Sequence, residues 1–172
     1  MRLKALCFML IVFGYSTVAN AMPVGYEEIQ IYGKEIVDAE EYMEERKIDI
    51  PLEVSEACEK YGAEYNILPE IGEALCWRES RCTADAENGN CKGIAQINVN
   101  VHKGRMDKLG VKDIYDVDGN IHVAFDYLND LQKDNKDIAK SLDAYNGNGM
   151  NGKSKYTKEI LTVASVLDRG GE

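Results

Sequence analysis

The stretch PEIGEALCWRESRC, residues 69–82, combines the pattern of a buried helix with a carboxylate on its apolar side. Pro69 suits the first turn of a helix, where its missing N–H is not needed. Counting back from Glu79 in steps of four reaches Leu75 and then Ile71, so these side chains share one helical face. Burial on such a face disfavours the charged form of a carboxyl group and raises its pKa.

A carboxylate buried at Glu79 needs a partner or a proton. Arg78 and Arg81 are close to it in sequence, although neighbouring residues on a helix point in different directions. On periodicity alone, an ion pair or a glutamate at the helix end explains this residue better than catalysis does. The catalytic interpretation therefore needs support from the rest of the chain.

The first 21 residues predict an export signal. Arg2 and Lys4 precede an apolar run over residues 5–13, and Ala19-Asn20-Ala21 is a small-x-small cleavage site. The run is short for a membrane anchor, so no stable membrane insertion is expected after cleavage. Cleavage removes two basic residues and no acidic ones, which takes the formal charge from -10 to -12. A chain this acidic is a poor match for nucleic acid.

Four cysteines follow the signal, and an even number in an exported chain favours two disulfides. Helices joined by a short link tend to pack antiparallel, which would bring Cys58 near Cys76. Asn88-Gly89 predicts a tight turn between the other two cysteines, so a bridge there would pin a small hairpin or loop beside Glu79. Of the three connectivities, we predict Cys58–Cys76 and Cys82–Cys91.

No metal site is expected. The cysteines form no C-x-x-C pair, and neither histidine lies at ligand spacing from a cysteine. The acidic run at residues 116–120 hints at a calcium loop, but its glycine is out of register. A turn and a helix cap are the favoured interpretation of this run.

Two units follow the signal, an acidic amphipathic arm over residues 22–52 and a domain over residues 53–172. Apolar residues in the arm recur at steps of three and four, with an interruption at Gly33. We expect the arm to pack against the domain, with a pro-segment or a partner-binding helix as the alternative. Beyond residue 52, helical patterns predominate. About five or six helices and one small β element predict an α+β, mainly α fold.

Three segments then occur in a fixed order: ES at Glu79-Ser80, GIAQIN at residues 93–98 and DAYNGN at residues 143–148. A helix beginning DGNIHVAFDYL separates the last two. Together they resemble the soluble lytic transglycosylase domain of the lysozyme-like superfamily, over roughly residues 54–167. The similarity is greatest to its small, single-domain members associated with secretion or conjugation. The resemblance implies a lysozyme-like helical globule with a small β-hairpin or loop beside the active-site helix.

Carried over position by position, the resemblance implies that Glu79 is the catalytic acid. It also implies that Ser80 orients the acid or the substrate and that Tyr145 lies near the glutamate. The predicted contacts to the glycan are made by Ser80, Gln96, Asn98, Tyr145 and Asn146. Taken alone, Gln96 and Asn98 would more readily be explained as satisfying backbone groups of a loop. Ile94-Ala95 and Gly147-Asn148 depart from the family pattern, which puts the subsite preference in question.

The implied reaction cleaves the β-1,4 bond between N-acetylmuramic acid and N-acetylglucosamine and leaves 1,6-anhydro ends, with one glutamate acting as acid and then base. One alternative is a hydrolytic muramidase like the goose-type lysozymes, with a second acid such as Asp85 or Glu87. The other is a non-catalytic glycan-binding or secretion-assembly module. No cofactor is expected.

The expected location and partners follow from the same resemblance. We expect an exported monomer at the cell wall, periplasmic or extracellular, with peptidoglycan glycan strands as its partner. A secretion or conjugation apparatus is a further candidate partner, by analogy alone.

Overall fold

The structure, a computed structural model, describes residues 22–36 and 38–169, so the predicted signal peptide of residues 1–21 lies outside the described residues. Eight α-helices and three short strands are found in this part of the chain. In order they are α1 Tyr26–Tyr32, α2 Ala39–Arg46, α3 Leu52–Tyr65, α4 Pro69–Ser80, β1 Glu87–Asn88, β2 Cys91–Lys92, β3 Ile97–Asn98, α5 Lys103–Leu109, α6 Val117–Asn135, α7 Ile138–Tyr145 and α8 Lys155–Arg169. The predicted α+β, mainly α class is confirmed. Within residues 22–36 and 38–169, none of the helices is long and apolar enough to cross a membrane.

Helix α4 lies at the centre of the fold, in contact with α3 and α8 along its length and with α6 at fewer points. Ile71 and Leu75, which define its predicted apolar face, are fully buried. Gly72 lets α6 approach closely, because a Cβ at this position would lie 2.5 Å from the ring of Phe125. The catalytic candidate at the end of α4 is thus carried by a helix that is packed on several sides.

Helix α3 continues through Gly62, and the left-handed residue that ends it is Asn66. The glycine serves a close approach, since a Cβ there would lie 2.8 Å from the carbonyl oxygen of Ile67. The short link to α4 therefore folds back against the end of α3.

Helix α6 begins with the cap predicted for the acidic run before it. The Asp116 carboxylate accepts a hydrogen bond of 2.8 Å from the backbone N–H of Gly119, which satisfies one of the free donors of the first turn. The first helical residue is Val117, one residue before the DGNIHVAFDYL segment in which the sequence predicted this helix to begin.

A three-stranded antiparallel sheet in the order β1-β2-β3 follows α4. The predicted turn at Asn88-Gly89 joins the first two strands, in which Asn88 pairs with Cys91. On the other side, Cys91 pairs with Asn98 of β3. This third strand was not predicted, because two residues are too few to show the alternation that identifies a strand.

The arm packs on α8. Ile29 of α1 is fully buried, and Val24 forms a parallel β-bridge with Ile67. Farther along the arm, the Trp77 indole N–H lies 3.4 Å from the carbonyl oxygen of Lys47 and donates to it. The arm pattern interrupted at Gly33 forms α1, a 3₁₀ turn over Gly33–Glu35 and α2.

Cys58, Cys76, Cys82 and Cys91 are free in the structure, so neither predicted disulfide is formed in it. The antiparallel packing of α3 and α4 does bring two of them together: Cys58 hydrogen bonds to Cys76, and this contact, with burial, raises the pKa of Cys58 well above its usual value. Burial and the neighbouring Cys76 raise the pKa of Cys82 to about 12. Cys76 thus has two sulfur neighbours, which the predicted pairing did not anticipate.

Candidate active site

A groove of about 400 Å³ runs past the end of α4. The groove is lined by Glu79, Asn88, Cys91, Gln96, Ile97, Asn98, Val101, His102, Tyr127, Ala144, Tyr145, Asn146 and Gly147. Glu79 is the penultimate residue of α4, and Arg81 ends the helix in a left-handed conformation. The helix end therefore presents the carboxyl group to the groove. Within the described residues, Glu79 is the one carboxylate in this lining.

The Glu79 carboxyl group is half-buried, and Tyr156 of α8 donates a hydrogen bond to its Oε1. Burial raises the pKa of Glu79, while the bond from Tyr156 and the positive charge of Arg78 act in the opposite direction. The net shift is upward. A carboxyl group with a raised pKa holds its proton at a higher pH and can act as a general acid.

Tyr145 lines the groove beside Glu79, but its hydrogen bond goes elsewhere. Its hydroxyl donates to the carbonyl oxygen of Ala95 at 2.9 Å. The hydroxyl that bonds Glu79 is that of Tyr156, which α8 brings to this position. Tyr145 therefore supports the neighbouring loop and presents its ring to the groove.

The loop that contains GIAQ is fixed from three helices. The Ser80 hydroxyl donates to the carbonyl oxygen of Ile94 at 2.7 Å, and the buried Asn120 side chain accepts from the Ala95 N–H at 2.9 Å. The Asn120 amide also donates to the carbonyl oxygens of Lys92 and Ile114. Together with Tyr145, these contacts tie the loop to α4, α6 and α7. Ser80 thus acts on the loop rather than on Glu79 in this structure.

Gln96 and Asn98 both line the groove, and both use their side chains on the backbone. The Gln96 amide donates to the carbonyl oxygens of Ala86 and Gly93, at 3.1 and 2.9 Å. The Asn98 side-chain oxygen accepts from the N–H groups of Asn100 and Val101. These bonds match the alternative in which the two side chains satisfy backbone groups of a loop. Both side chains nevertheless line the groove.

Asn146 follows α7 as its C-cap and is exposed at the groove. Its neighbour Gly147 has a positive φ of 71° and also lines the groove. Ile94 and Ala95, the other departure from the family pattern, are fully buried and absent from the lining. Among the described residues, the Ile94-Ala95 change thus affects the core behind the groove rather than its surface.

Three residues of the site were not anticipated. These are Tyr156, His102 and Tyr127. The His102 and Tyr127 rings lie 4.4 Å apart at one side of the groove, and burial lowers the pKa of His102. A tyrosine on an apolar stripe is the one usable signal, because its buried hydroxyl requires a partner.

A second hollow of about 640 Å³ lies between α3 and the start of α6. Its carboxylates are exposed, and these are Glu53, Glu56, Asp116 and Asp118. Burial acts on Asp118, but the hydrogen bonds from Lys60 and Tyr61 outweigh it and lower the pKa of this carboxyl group, unlike that of Glu79. No group of three or more His, Cys, Asp or Glu side chains within the described ranges could hold a metal ion.

Comparison with known proteins identifies a family domain over the part of the chain that forms this groove. Residues 56–162 match the family model described as "Transglycosylase SLT domain", and the matched segment includes Glu79, the GIAQIN loop and Tyr156. No curated protein matches the chain. At the level of the family, the function is of the lytic transglycosylase type and acts on peptidoglycan. The matched segment covers more than half of the sequence, and the chain belongs to the transglycosylase SLT domain family.

Proposed function

We propose that the protein cleaves the β-1,4 bond from N-acetylmuramic acid to N-acetylglucosamine in peptidoglycan and leaves 1,6-anhydro-muramic ends. One observation carries this proposal above the others: Glu79 is half-buried in a groove whose described lining contains no second carboxylate. A reaction that recycles one carboxyl group as acid and then base fits such a groove.

In this mechanism Glu79 starts protonated, as its raised pKa favours. It donates the proton to the glycosidic oxygen while the bond breaks through an oxocarbenium-like state. The carboxylate then removes the proton of the muramic C6 hydroxyl, and that oxygen closes onto C1. Tyr156 donates to Glu79 and so stabilises the carboxylate that exists between the two steps.

The hydrolytic alternative needs a carboxylate that activates water, at about 6.5–9.5 Å from the acid in an inverting enzyme. Asp85 and Glu87 were the sequence candidates. Both are exposed and neither lines the groove. Glu87 is in addition engaged by Lys92 at 2.7 Å and by the Tyr115 hydroxyl. These contacts favour the transglycosylase outcome over hydrolysis.

Mass analysis of the products from purified peptidoglycan tests the proposal. We expect 1,6-anhydro ends with the unaltered protein and a loss of about 10²–10⁴ in rate for Glu79→Gln, the usual contribution of general acid catalysis. Glu87→Gln and Asp85→Asn are matched controls and should retain activity. Reducing-end sugars would indicate a hydrolase, and absence of lysis by the folded, unaltered protein would favour the glycan-binding alternative. Lysis unaffected by Glu79→Gln would mean that another group is the acid.

The same proposal includes export to the cell wall, periplasmic or extracellular, where this substrate lies, and action as a monomer on neutral stretches of glycan. A secretion or conjugation apparatus that needs a local opening in the wall is the partner we propose. Fractionation of cells that produce the full chain, with detection in the wall-associated or external fraction, tests the location.

A further inference from the structure

Helix α4 and helix α8 meet in two neighbouring polar contacts. Tyr156 donates to Glu79, and one turn farther along α8, Glu159 forms an ion pair with Arg78. The Arg78 Nε and the Glu159 Oε2 are 2.8 Å apart, and the side chains are 36% and 30% exposed. The Nε–H makes no well-aligned hydrogen bond, so charge holds this contact.

Arg78 also touches the tyrosine that holds the acid. The centre of its guanidinium group lies 5.4 Å from the centroid of the Tyr156 ring, within the range of a cation–π interaction. The guanidinium group is therefore held between the Glu159 carboxylate and the Tyr156 ring. This contact brings the guanidinium charge beside the phenol that donates to Glu79.

The surroundings of Glu79 contain few other charges. Tyr156 faces it from α8 and Tyr145 from α7, while Cys91 of the sheet and His102 line the same groove. Burial raises the pKa of both tyrosines, and it lowers the pKa of His102, so all three favour their neutral forms near neutral pH. Arg78 is then the charged side chain, among the described residues, that acts on Glu79.

We propose that Arg78 and Glu159 form a charge pair beside the Tyr156–Glu79 hydrogen bond, and that the balance of its two charges sets how tightly Glu79 keeps its proton. The assignment of Glu79 as the acid rests on the proposed function, but the electrostatic coupling does not. The positive charge of Arg78 lowers the pKa of Glu79, in opposition to burial. Glu159 offsets part of that charge and so helps Glu79 remain protonated.

The pair makes opposite predictions for its two members. Without the guanidinium group, burial acts on Glu79 with less opposition, and the pKa of Glu79 rises. Without the Glu159 carboxylate, the Arg78 charge acts on Glu79 uncompensated, and that pKa falls. If the ion pair only joined the two helices, the loss of either member would lower stability and leave the pKa of Glu79 unchanged.

The test is a titration of Glu79 by NMR in protein labelled with ¹³C at glutamate side-chain carboxyls, with Glu79→Gln identifying the signal. We expect Arg78→Gln to raise the Glu79 pKa and Glu159→Gln to lower it, each by roughly 0.5–1 unit after solvent screening. The double variant should lie between them, and Arg78→Lys should restore most of the normal value. Arg81→Gln removes a charge from the same helix, where Arg81 stacks on the Trp77 ring, and should shift nothing.

Shifts of the same sign, or no shift in folded Arg78→Gln and Glu159→Gln, would overturn the proposal. If circular dichroism shows that Arg78→Gln does not fold, Arg78→Lys and Glu159→Gln still decide the sign of the shift in the Glu79 pKa. The titration needs no substrate, so an inactive but correctly shifted protein would reject the transglycosylase function and leave the pair intact. In an active protein, the alkaline limb of the lysis profile should move with the Glu79 pKa.

Discussion

Two tyrosines lie beside Glu79, and their hydroxyls act on different partners. Tyr156 donates to the carboxyl group, whereas Tyr145 donates to the backbone of the GIAQ loop. Both are held by burial in their neutral forms, since burial raises their pKa values well above the usual range. A change from tyrosine to phenylalanine at each position therefore separates control of the acid from support of the loop.

Tyr156→Phe should raise the pKa of Glu79, because it removes a hydrogen bond that stabilises the carboxylate while burial remains. We expect the alkaline limb of the lysis profile to move up by roughly one pH unit. Tyr145→Phe is the matched control. It leaves the Ala95 carbonyl without this donor and should cost about 1–2 kcal/mol in stability, with the alkaline limb unmoved. Equal limb shifts in the two variants would contradict the assignment.

The raised pKa of Glu79 also predicts how stability changes with pH. Its protonated form is favoured in the folded state, so its contribution is present below the unfolded pKa and is lost as pH rises through the folded pKa. The Glu79→Gln variant does not lose stability in this way. As pH rises from 4 to 8, its Tm should therefore increase relative to the Tm of the unaltered protein, by about 2–4 °C for each kcal/mol of stability.

Glu87→Gln is the control with the opposite sign. Lys92 and Tyr115 lower the pKa of Glu87, so its contribution is present above the unfolded pKa and is lost as pH falls through the folded pKa. Below about pH 5, the Tm of the unaltered protein should fall relative to the Tm of this variant. Thermal melts across pH for the three proteins measure both slopes, and parallel curves would show that neither carboxyl is perturbed.

At the scale of elements, the GIAQ loop depends on one glycine. Gly93 has a φ of 75°, and a Cβ there would lie 2.1 Å from the Asn120 amide nitrogen. The loop passes so close because Asn120 of α6 bonds the loop backbone on both sides of the glycine. The sequence showed a motif glycine, but the reason for it lies on a helix that begins more than 20 residues later.

Gly93→Ala should displace this loop, cost more than about 2 kcal/mol and reduce lysis, because a clash with Asn120 is added to a strained φ. Gly89→Ala is the matched control. Gly89 also has a positive φ, of 60°, but a Cβ there would meet nothing within 4 Å. We expect a loss of only about 1–2 kcal/mol with activity retained. Urea unfolding and lysis assays measure both, and similar losses would refute the role of the clash.

Across the whole molecule, the arm contributes to the same core as the family domain. Ile29 is fully buried, whereas Ile31 on the same short helix is 61% exposed. Ile29→Ala should destabilise the protein by about 2–5 kcal/mol, as for a core cavity. Ile31→Ala makes the same chemical change at the surface and should stay within about 0.5 kcal/mol. If urea unfolding gives equal losses, the arm is a dispensable segment rather than part of the core.

The cysteines give a prediction at the same scale. Under oxidising conditions we expect Cys58 to pair with Cys76, since these thiols are already in contact, and Cys82 to pair with Cys91. Each bridge would contribute roughly 2–4 kcal/mol by restricting the unfolded chain. A peptide map of exported protein without reduction measures the pairing. A Cys76–Cys82 link would contradict it.

The sequence by itself determined the mainly helical class, the apolar face of α4 and the carboxylate at its end. These features depend on local periodicity and on ordered motifs, which are readable along the chain. The tertiary structure alone decided that Tyr156 rather than Tyr145 bonds Glu79, that Glu159 meets Arg78, and that Gly93 faces Asn120. Each of these contacts joins residues far apart in sequence. Their partners are selected by how whole helices pack, and no local pattern encodes that choice.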